Sequence, residues 1–336
     1  PNSVQNITGL DYGVYVTGVE VRVDNGTWEM ASGTINWQWE WDAAASGAGN
    51  RTLSVRSYDG RYFSSVSTIQ VLVVIIDIEI EALDDYNETI PEVAAGFRLH
   101  LINNGSISDH INLEATNLPD GWTLLNENLS TQIGKYSETN ISIYVLPPKY
   151  YPEGDYNITI KGVSERDSRE VAYTNITVRV LRHSSFSLEA PAADSDRPRR
   201  TVTLSFTLEN EGNYRDRYAL VASSDLGWGV SITGGSVSSY IDPAESAVIS
   251  VDVTIPDKTY WNTTSVITFT ATSQGDTDLS LNASANITVE TEYRLRFEVI
   301  GDDAQSELPG NSVVFTARAT NLGNREDNAT IDFTEL

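Results

Sequence analysis

Alternation of apolar and polar residues predicts β-strands along almost the whole chain. Residues 97–101 (Phe-Arg-Leu-His-Leu), 202–206 and 53–56 each place every second side chain on an apolar face. A period of two is typical of a strand with one side buried. Val, Ile, Thr and Tyr fill these runs, turn residues separate them, and no long stretch shows the period of an amphipathic helix. The sequence therefore predicts an all-β protein.

A long-period repeat organises these strands. The sequence Asn-x-Gly closes an alternating run at Asn103, Asn210 and Asn321, which are 107 and 111 residues apart. Trp122 and Trp228 follow the first two at nearly equal distances. Self-similarity with a fixed period indicates an array of one structural unit. With short serial strands, it predicts tandem Ig-like β-sandwich domains in an elongated array.

The repeat sets the expected domain boundaries. We predict a short, incomplete Ig-like module at 1–76 that lacks an edge strand, full repeats at 77–182 and 183–291, and a partial repeat at 292–336. The joints carry no Gly/Ser-rich linker, so they are expected to be stiff. The last strand of the first module is expected to run directly into the second. We expect the chain to be part of a longer exported protein, with its export signal and anchor elsewhere.

Composition limits the classes of partner and the cellular location that we expect for this protein. The 336 residues suit about three domains. The net charge is −25, from 47 acidic and 22 basic residues, and this field disfavours nucleic acid and anionic lipid. Membrane contact is expected only through an anchor outside this segment. Without Cys there is no disulfide or thiolate site. The acidic surface with few lysines fits an ordinary acidic secreted protein, and a salt-adapted archaeal protein is the alternative.

Two groups of residues resemble known families. The second module contains Asn103-Asn104-Gly105, Asp109, Leu118-Pro119-Asp120-Gly121-Trp122, Val145-Leu146-Pro147 and Gly154-Asp155-Tyr156. In these residues it resembles the Ig-like domain found beside α-galactosidases (the NPCBM-associated family) and CARDB-like adhesion modules of archaea and bacteria. The third module keeps Asn210, Asp216, Trp228 and Pro256, but has Ser265 in place of Tyr156, so its corner is expected to pack differently.

The first module carries a second set of recognisable residues, at 19–28, Trp41-Asp42 and 55–60. In these residues it is similar to Ig-like repeats of large archaeal and bacterial surface proteins. Together the resemblances imply an extracellular or cell-surface location. The resemblances say little about activity, because such modules occur in surface layers, adhesins and secreted enzymes.

Thirteen Asn-x-Ser/Thr sequons are candidate N-glycosylation sites. An alternation such as Asn-Ile-Thr, with Ile inward, also generates sequons through strand composition alone. The candidates are Asn6, Asn25, Asn50, Asn87, Asn104, Asn128, Asn140, Asn157, Asn175, Asn262, Asn282, Asn286 and Asn328.

Tryptophans give a second candidate surface. Trp37, Trp39 and Trp41 alternate along one strand, so their rings share one face. That face could stack on sugar rings, or it could be the sandwich core, where a tryptophan normally packs. Trp37 and Trp39 are therefore candidate carbohydrate contacts, although we favour the core for this face. Trp261, on a loop beside a sequon, is a weaker candidate contact.

The acidic pairs and the histidines give little evidence of a metal site or a catalytic site. Asp84-Asp85 and Asp194-Asp196 are weak candidates for structural Ca²⁺, which needs six to eight oxygen ligands. Solvated acidic loops are the favoured interpretation, and we expect no other metal or cofactor. The three histidines are far apart, and no nucleophile elbow or phosphate loop is present. We therefore expect a protein that is not an enzyme.

The expected function is a structural or adhesive stalk segment of a large extracellular glycoprotein, such as a surface-layer protein. Its partners would be other surface proteins or polysaccharide, with self-assembly open. Two alternatives remain: an accessory polysaccharide-binding spacer of a secreted hydrolase, and a filament or pilus subunit whose neighbours complete an unfinished sandwich.

Overall fold

The structure, a computed structural model, describes residues 4–10, 15–125 and 129–332. Apart from a 3₁₀ turn at Ala44–Ser46, the elements in these ranges are β-strands. The chain divides into two compact units. One contains Pro1–Pro148 and Gly154–Leu181, and the other Lys149–Glu153 and Arg182–Leu336. The candidate Asn128 lies outside the described residues.

The first module is a small two-layer sandwich. One sheet has the order β1-β5-β4 and the other β3-β2-β6-β7. Its buried side chains form two small clusters, one around Val19, Val21 and Trp37 and one around Trp41 and Leu53. The strands are β1 (Val4–Leu10), β2 (Gly18–Val23), β3 (Glu29–Met30), β4 (Ser32–Gly33), β5 (Asn36–Asp42), β6 (Gly49–Tyr58) and β7 (Ser67–Val73).

The second module has the strand order of a complete Ig-like sandwich. Its sheets are β12-β14-β10-β8 and β13-β11-β15-β16-β9. Alternate residues of the central strands are buried, as the sequence pattern predicts. The strands are β8 (Ile78–Ala82), β9 (Tyr86–Thr89), β10 (Ala95–Asn103), β11 (Asp109–Ala115), β12 (Thr123–Leu125), β13 (Ser130–Ile133), β14 (Ser137–Leu146), β15 (Gly154–Ser164) and β16 (Val171–Val180).

The third module repeats this arrangement, with sheets β17-β19-β22-β21 and β18-β24-β23-β20. Its core is one continuous cluster, in which Phe206 and Phe269 pack at 4.8 Å and Phe186 and Tyr218 at 4.7 Å. The strands are β17 (Phe186–Glu189), β18 (Asp194–Asp196), β19 (Thr201–Asn210), β20 (Tyr218–Ser224), β21 (Gly229–Ile232), β22 (Ser246–Thr254), β23 (Thr264–Ser273) and β24 (Ser280–Val289).

In both modules the first two strands close the sandwich along one side. The first of them, β8 or β17, extends one sheet beside β10 or β19. The second, β9 or β18, crosses to the other sheet and pairs in parallel with its last strand, β16 or β24. By Ig convention we call them the A and A′ strands, their partners in the first sheet the B strands, and β16 and β24 the G strands.

After the third module, β25 (Leu295–Ile300) and β26 (Thr316–Asn321) form an antiparallel pair. They correspond to an A strand and a B strand. Apolar side chains such as Leu295 and Phe297 are exposed here.

Two details differ between repeats or from the sequence expectation. Tyr156 packs against Trp122 at 5.2 Å, whereas Ser265 is buried and its hydroxyl donates to Asp225 Oδ1 at 2.8 Å. The first module does not run directly into the second: β7 ends at Val73, and residues 74–77 lie outside strands. The interruption places Ile75 against the loop that follows β10.

Candidate functional site

The Asn-x-Gly sequences form the same turn at the end of each B-type strand. The first Asn accepts a hydrogen bond on Oδ1 from the glycine N–H, at 2.8 Å for Asn103, 2.9 Å for Asn210 and 2.8 Å for Asn321. Its Nδ2 donates to carbonyl oxygens across the loop in all three cases. Asn103 and Asn210 are buried, so these bonds satisfy the amide and fix the loop.

The glycine of each turn lies against backbone entering the module. A Cβ atom would fall 2.8 Å from the Ile75 oxygen at Gly105 and 2.6 Å from the His183 oxygen at Gly212. At Gly323 it would fall 2.3 Å from the Glu292 oxygen. None of the three glycines has a positive φ. Glycine is therefore explained by the close approach of the connecting chain.

The residue after the glycine binds the connecting chain directly. Ser106 N–H donates to Ile75 O, and Ile75 N–H donates to Ser106 Oγ, both at 2.9 Å. Asn213 and His183 exchange equivalent bonds of 3.1 and 2.8 Å, and Asn324 and Glu292 exchange bonds of 3.2 and 2.8 Å. We call residues 103–106, 210–213 and 321–324 the joint motifs.

The joint after the third module has additional contacts. Asn324 Nδ2 donates to Glu290 O at 2.8 Å, and the backbone N–H of Trp261 donates to the backbone oxygen of Asn324 at 3.1 Å. The guanidinium of Arg325 lies 4.5 Å from the centre of the Trp261 ring. The predicted carbohydrate contact Trp261 is thus half-buried at a joint.

A salt bridge adds to the same joint. Arg199 contacts Asp257 at 2.6 Å and also Glu292 of the connecting chain. The hydrogen bond from Arg199 lowers the pKa of Asp257 below its ordinary value of 3.8. Asp257 is therefore a favourable partner for Arg199 at neutral pH.

In each complete repeat, a hydrogen-bonded pair of buried Asp and Ser side chains holds the loop that follows β15 or β23. Ser164 Oγ donates to Asp109 Oδ2, and Ser273 Oγ donates to Asp216 Oδ2. Backbone N–H groups complete the pair: Gly275 donates to Asp216 Oδ1 at 3.1 Å and also to Ser273 Oγ. All four side chains are at most 5% exposed. The buried carboxylates are hydrogen-bonded within the fold.

The sequons lie mainly on the surface. The asparagine is half-buried at Asn87, where Nδ2 donates to Gly96 O at 2.8 Å. Asn140 Oδ1 lies 2.7 Å from His100 Nδ1, and this contact raises the pKa of His100. The side chain of Asn6 is not described. The exposed ones are Asn25, Asn50, Asn104, Asn140, Asn157, Asn175, Asn262, Asn282, Asn286 and Asn328.

Two sequons face each other across β15 and β16. Asn157 is opposite Thr177, and Thr159 is opposite Asn175. Each threonine hydroxyl donates to the opposite asparagine Oδ1 at 2.8 Å. The amide nitrogen that a glycan would occupy takes no part in these two bonds. Occupancy of the sites stays a prediction.

The tryptophan strand lies mostly inside the first module. Trp37 and Trp41 are 9% and 5% exposed, and Trp39 is half-buried. Trp39 Nε1 donates to Glu29 Oε2 at 3.2 Å. Trp39 also borders an open groove of about 330 Å³, together with Glu40 and Asp42.

The acidic candidates lie in ordinary loop and edge environments. Asp84 forms two hydrogen bonds with Arg98, at 2.6 and 3.0 Å, which lower its pKa. Asp194 and Asp196 each accept the N–H of the next residue at 2.7 Å. In the described part of the chain, neither these residues nor Asp85 join a cluster of three His, Cys, Asp or Glu side chains that could hold a metal. Calcium binding stays a prediction.

The residues that complete the joint motif and the buried pair are not among the sequence-based predictions. Ser106, Asn213 and Asn324 are polar at the same repeat position, and Ser164 and Ser273 follow their aspartates at similar distances. These regularities could have identified them. Their roles became evident only from the approach of backbone that is distant in sequence.

No known protein family and no curated protein matches this sequence. Among solved structures, the protocadherin gamma B4 extracellular domain is similar over 96% of this chain and 50% of its own, at 14% identity and a TM-score of 0.35. Domains 3–6 of protocadherin gamma B2 are similar over 83% and 68%, at 13% identity and a TM-score of 0.32.

A protein of unknown function from Porphyromonas gingivalis W83 is similar over 62% of this chain and 99% of its own, at 11% identity and a TM-score of 0.24. All three TM-scores are below 0.5, so the fold assignment rests on the strand pairing of this chain. Within the described ranges, no helix has the length and apolar character needed to cross a bilayer.

Proposed function

We propose that this chain is a non-enzymatic structural and adhesive segment of an exported cell-surface glycoprotein. Serial Ig-like sandwiches would hold other parts of the assembly at a distance. The observation that carries the proposal is the joint motif, which ties connecting backbone to a module at three places. A flexible tether would need none of these bonds.

The joints suit a spacer because they are short and hydrogen-bonded. Residues 74–77 connect β7 to β8, and residues 290–294 connect β24 to β25. Flexible linkers are typically long and rich in Gly and Ser. In each joint motif the Asn side chain holds the loop by hydrogen bonds, and the Gly leaves room for the connecting backbone. The residue after the Gly forms hydrogen bonds with that backbone. Bending at these joints would break several hydrogen bonds together.

The surface supports a location outside the cell. Ten sequon asparagines are exposed, and glycans at these positions would cover a hydrated, acidic exterior. The net charge of −25 favours solubility and disfavours nucleic acid. Partners of such a segment would be other surface proteins or polysaccharide.

A distance measurement across the last joint tests the spacer. Because the chain has no Cys, spin labels can be placed at Val248→Cys and Ala317→Cys, both exposed. Double electron–electron resonance should give a narrow distribution of distances between the two labels. Asn324→Ala should broaden it, because the bonds to Glu290 and Glu292 are lost. The matched control Asn328→Ala, exposed and outside the motif, should leave it narrow. A broad distribution in the parent protein would contradict the proposal.

Glycosylation needs a separate test. The chain should be secreted from a host that performs N-glycosylation and then analysed by intact mass and peptide mapping. We expect glycans at exposed sequons such as Asn157 and Asn286, and less at half-buried Asn87. A mass equal to that of the bare polypeptide would end the glycoprotein part of the proposal and leave the spacer part standing.

The groove beside Trp39 favours polysaccharide binding as a second candidate function. Its indole and nearby carboxylates (Glu29, Glu40 and Asp42) combine an aromatic face with hydrogen-bond acceptors for sugar hydroxyls. On a glycan array, Trp39→Ala should abolish any binding, whereas Trp261→Ala should not. Binding that survives Trp39→Ala would exclude this groove. Trp37→Ala is less informative, because that ring is buried.

A further inference from the structure

The groove beside Trp39 arises from a change of sheet inside the first module. β3 pairs with β2 in one sheet, whereas β4 pairs with β5 in the other, so the chain crosses between the two layers after β3. β4 reaches only Trp37 and Gln38 of β5. In the described part of the chain, no strand pairs with residues 39–42 on that side. The groove is therefore a feature of internal residues, which lie within 23–46.

Three carboxylates line this groove, and the lining holds no opposite charge. They belong to Glu29, Glu40 and Asp42, and none of the other described lining residues is Lys, Arg or His. Glu40 and Asp42 are two positions apart on β5, so their side chains leave the strand on the same side, roughly 7 Å apart. The described residues include no group of three acidic side chains that could hold a metal ion. The negative charge is thus spread along the groove.

Trp39 gives the groove a fixed aromatic wall. The ring packs against both core clusters of the first module, and its Nε1 donates to Glu29 Oε2 at 3.2 Å. The side chain is nevertheless only half-buried. An aromatic face beside carboxylates attracts a positive charge through its π electrons as well as through ion pairing. Because the ring is already held in place, little conformational entropy is lost when a ligand binds.

We propose that this groove binds a polysaccharide whose sugars carry free, protonated amino groups. The inference rests on the carbohydrate site proposed above and names its substrate class. Sugar rings would stack on the indole of Trp39, and the ammonium groups would donate hydrogen bonds to Glu40 and Asp42.

Charge distinguishes this class from other glycans. A neutral polysaccharide would take the carboxylates out of water without neutralising them, which is costly. An anionic polysaccharide would also be repelled by them. A chain of amino sugars offers one ammonium group on each ring, which suits carboxylates that are separated along a groove rather than gathered at one point.

Two oligosaccharides that differ only in acetylation test the proposal. A glucosamine hexasaccharide carries an amino group on every ring, whereas in the N-acetylglucosamine hexasaccharide every amino group is acetylated and uncharged. Binding of each to the full chain is measured by isothermal titration calorimetry. The amino form should bind about tenfold more tightly than the acetylated form, or better. Raising the salt concentration to about 0.5 M should weaken the binding of the amino form.

Variants locate the binding. Glu40→Gln keeps the size of an exposed side chain and removes its charge, so it should weaken binding of the amino form about fivefold or more. Trp39→Phe should also weaken it, because Trp is the stronger cation–π partner. The matched control is Glu79→Gln on β8, which removes the same charge at an exposed position of the second module and should bind normally. Melting temperatures check that each variant is folded.

Three results would overturn the inference. Equal binding of the two hexasaccharides, or no binding of the amino form at about 1 mM, would reject an amino-sugar ligand. Neutral sugars retained on the glycan array would then leave the carbohydrate site standing. Binding that Glu40→Gln and Trp39→Phe both leave unchanged would mean adsorption elsewhere on the acidic surface. Equally tight binding of a lysine hexapeptide would mean that charge alone is recognised.

Discussion

The first and third modules are built from the same kind of strand but are closed to different degrees. The third has A and A′ strands, a single core cluster and the buried Asp216–Ser273 pair. In the described residues of the first, no strand pairs with the outer edge of β1 or β7, and the buried side chains form two small clusters. The difference shows that the alternating pattern is enough to specify a sandwich, whereas complete burial depends on strands at its edges.

The largest expected effect concerns the two cores. Phe206→Ala should destabilise the third module by about 3–5 kcal/mol, because a fully buried ring leaves a cavity. Ile69→Ala in the first module should cost less than about 1 kcal/mol, because Ile69 is more than half exposed. Urea denaturation followed by tryptophan fluorescence measures both. Equal losses would mean that the first module is closed as fully as the third.

The buried pair gives the next largest effect. Asp216→Ala removes the acceptor of the Ser273 hydroxyl, and the lost bonds should cost about 1–3 kcal/mol. Because both residues belong to one pair, adding Ser273→Ala should cost less than the sum of the single changes. Asp242→Ala, at an exposed aspartate, is the control. An additive double variant would show that the two side chains act independently.

The joint glycine should give a smaller but specific effect. Gly212→Ala places a methyl group within 2.6 Å of the His183 oxygen, so the connecting chain must move, at a cost of about 1–2 kcal/mol. The control is Gly229→Ala, where a Cβ meets nothing within 4 Å. Hydrogen exchange of the His183 amide should accelerate only in the first variant. Unchanged exchange would remove the role assigned to this glycine.

The weakest expected effect is a pH dependence at the last joint. Arg199 holds the pKa of Asp257 below 3.8. The contribution of this pair is therefore complete above that value and is lost as the pH falls through the lowered pKa. The spin-label distance distribution should be constant from pH 7 to about 5 and broaden in stronger acid. In the Arg199→Gln variant, the distance distribution should no longer depend on this fall in pH. Broadening near neutral pH would point to a different group.

The sequence predicts the strands better than it predicts their connections. The period of two identifies β10 and β19 because each has one buried face. The repeated Asn-x-Gly marks the joints, but it does not show that glycine admits the backbone of Ile75 or His183. Those contacts join residues about 30 positions apart or more. That Ile69 faces inward and is nevertheless exposed becomes evident only from the strand register.

The tryptophan strand illustrates the same limit. Alternation places Trp37, Trp39 and Trp41 on one face, and the structure shows different environments for them: Trp37 and Trp41 are buried, whereas Trp39 borders a groove. The sequence cannot make this distinction, because it depends on the length of β4. That strand pairs only with residues 37 and 38, which leaves the rest of β5 open on one side.

Small-angle X-ray scattering of the full chain tests the proposed spacer most directly. A compact globule of 336 residues would have a radius of gyration of about 20 Å. The proposed spacer predicts a clearly larger radius that does not change with ionic strength. A radius near 20 Å would contradict it.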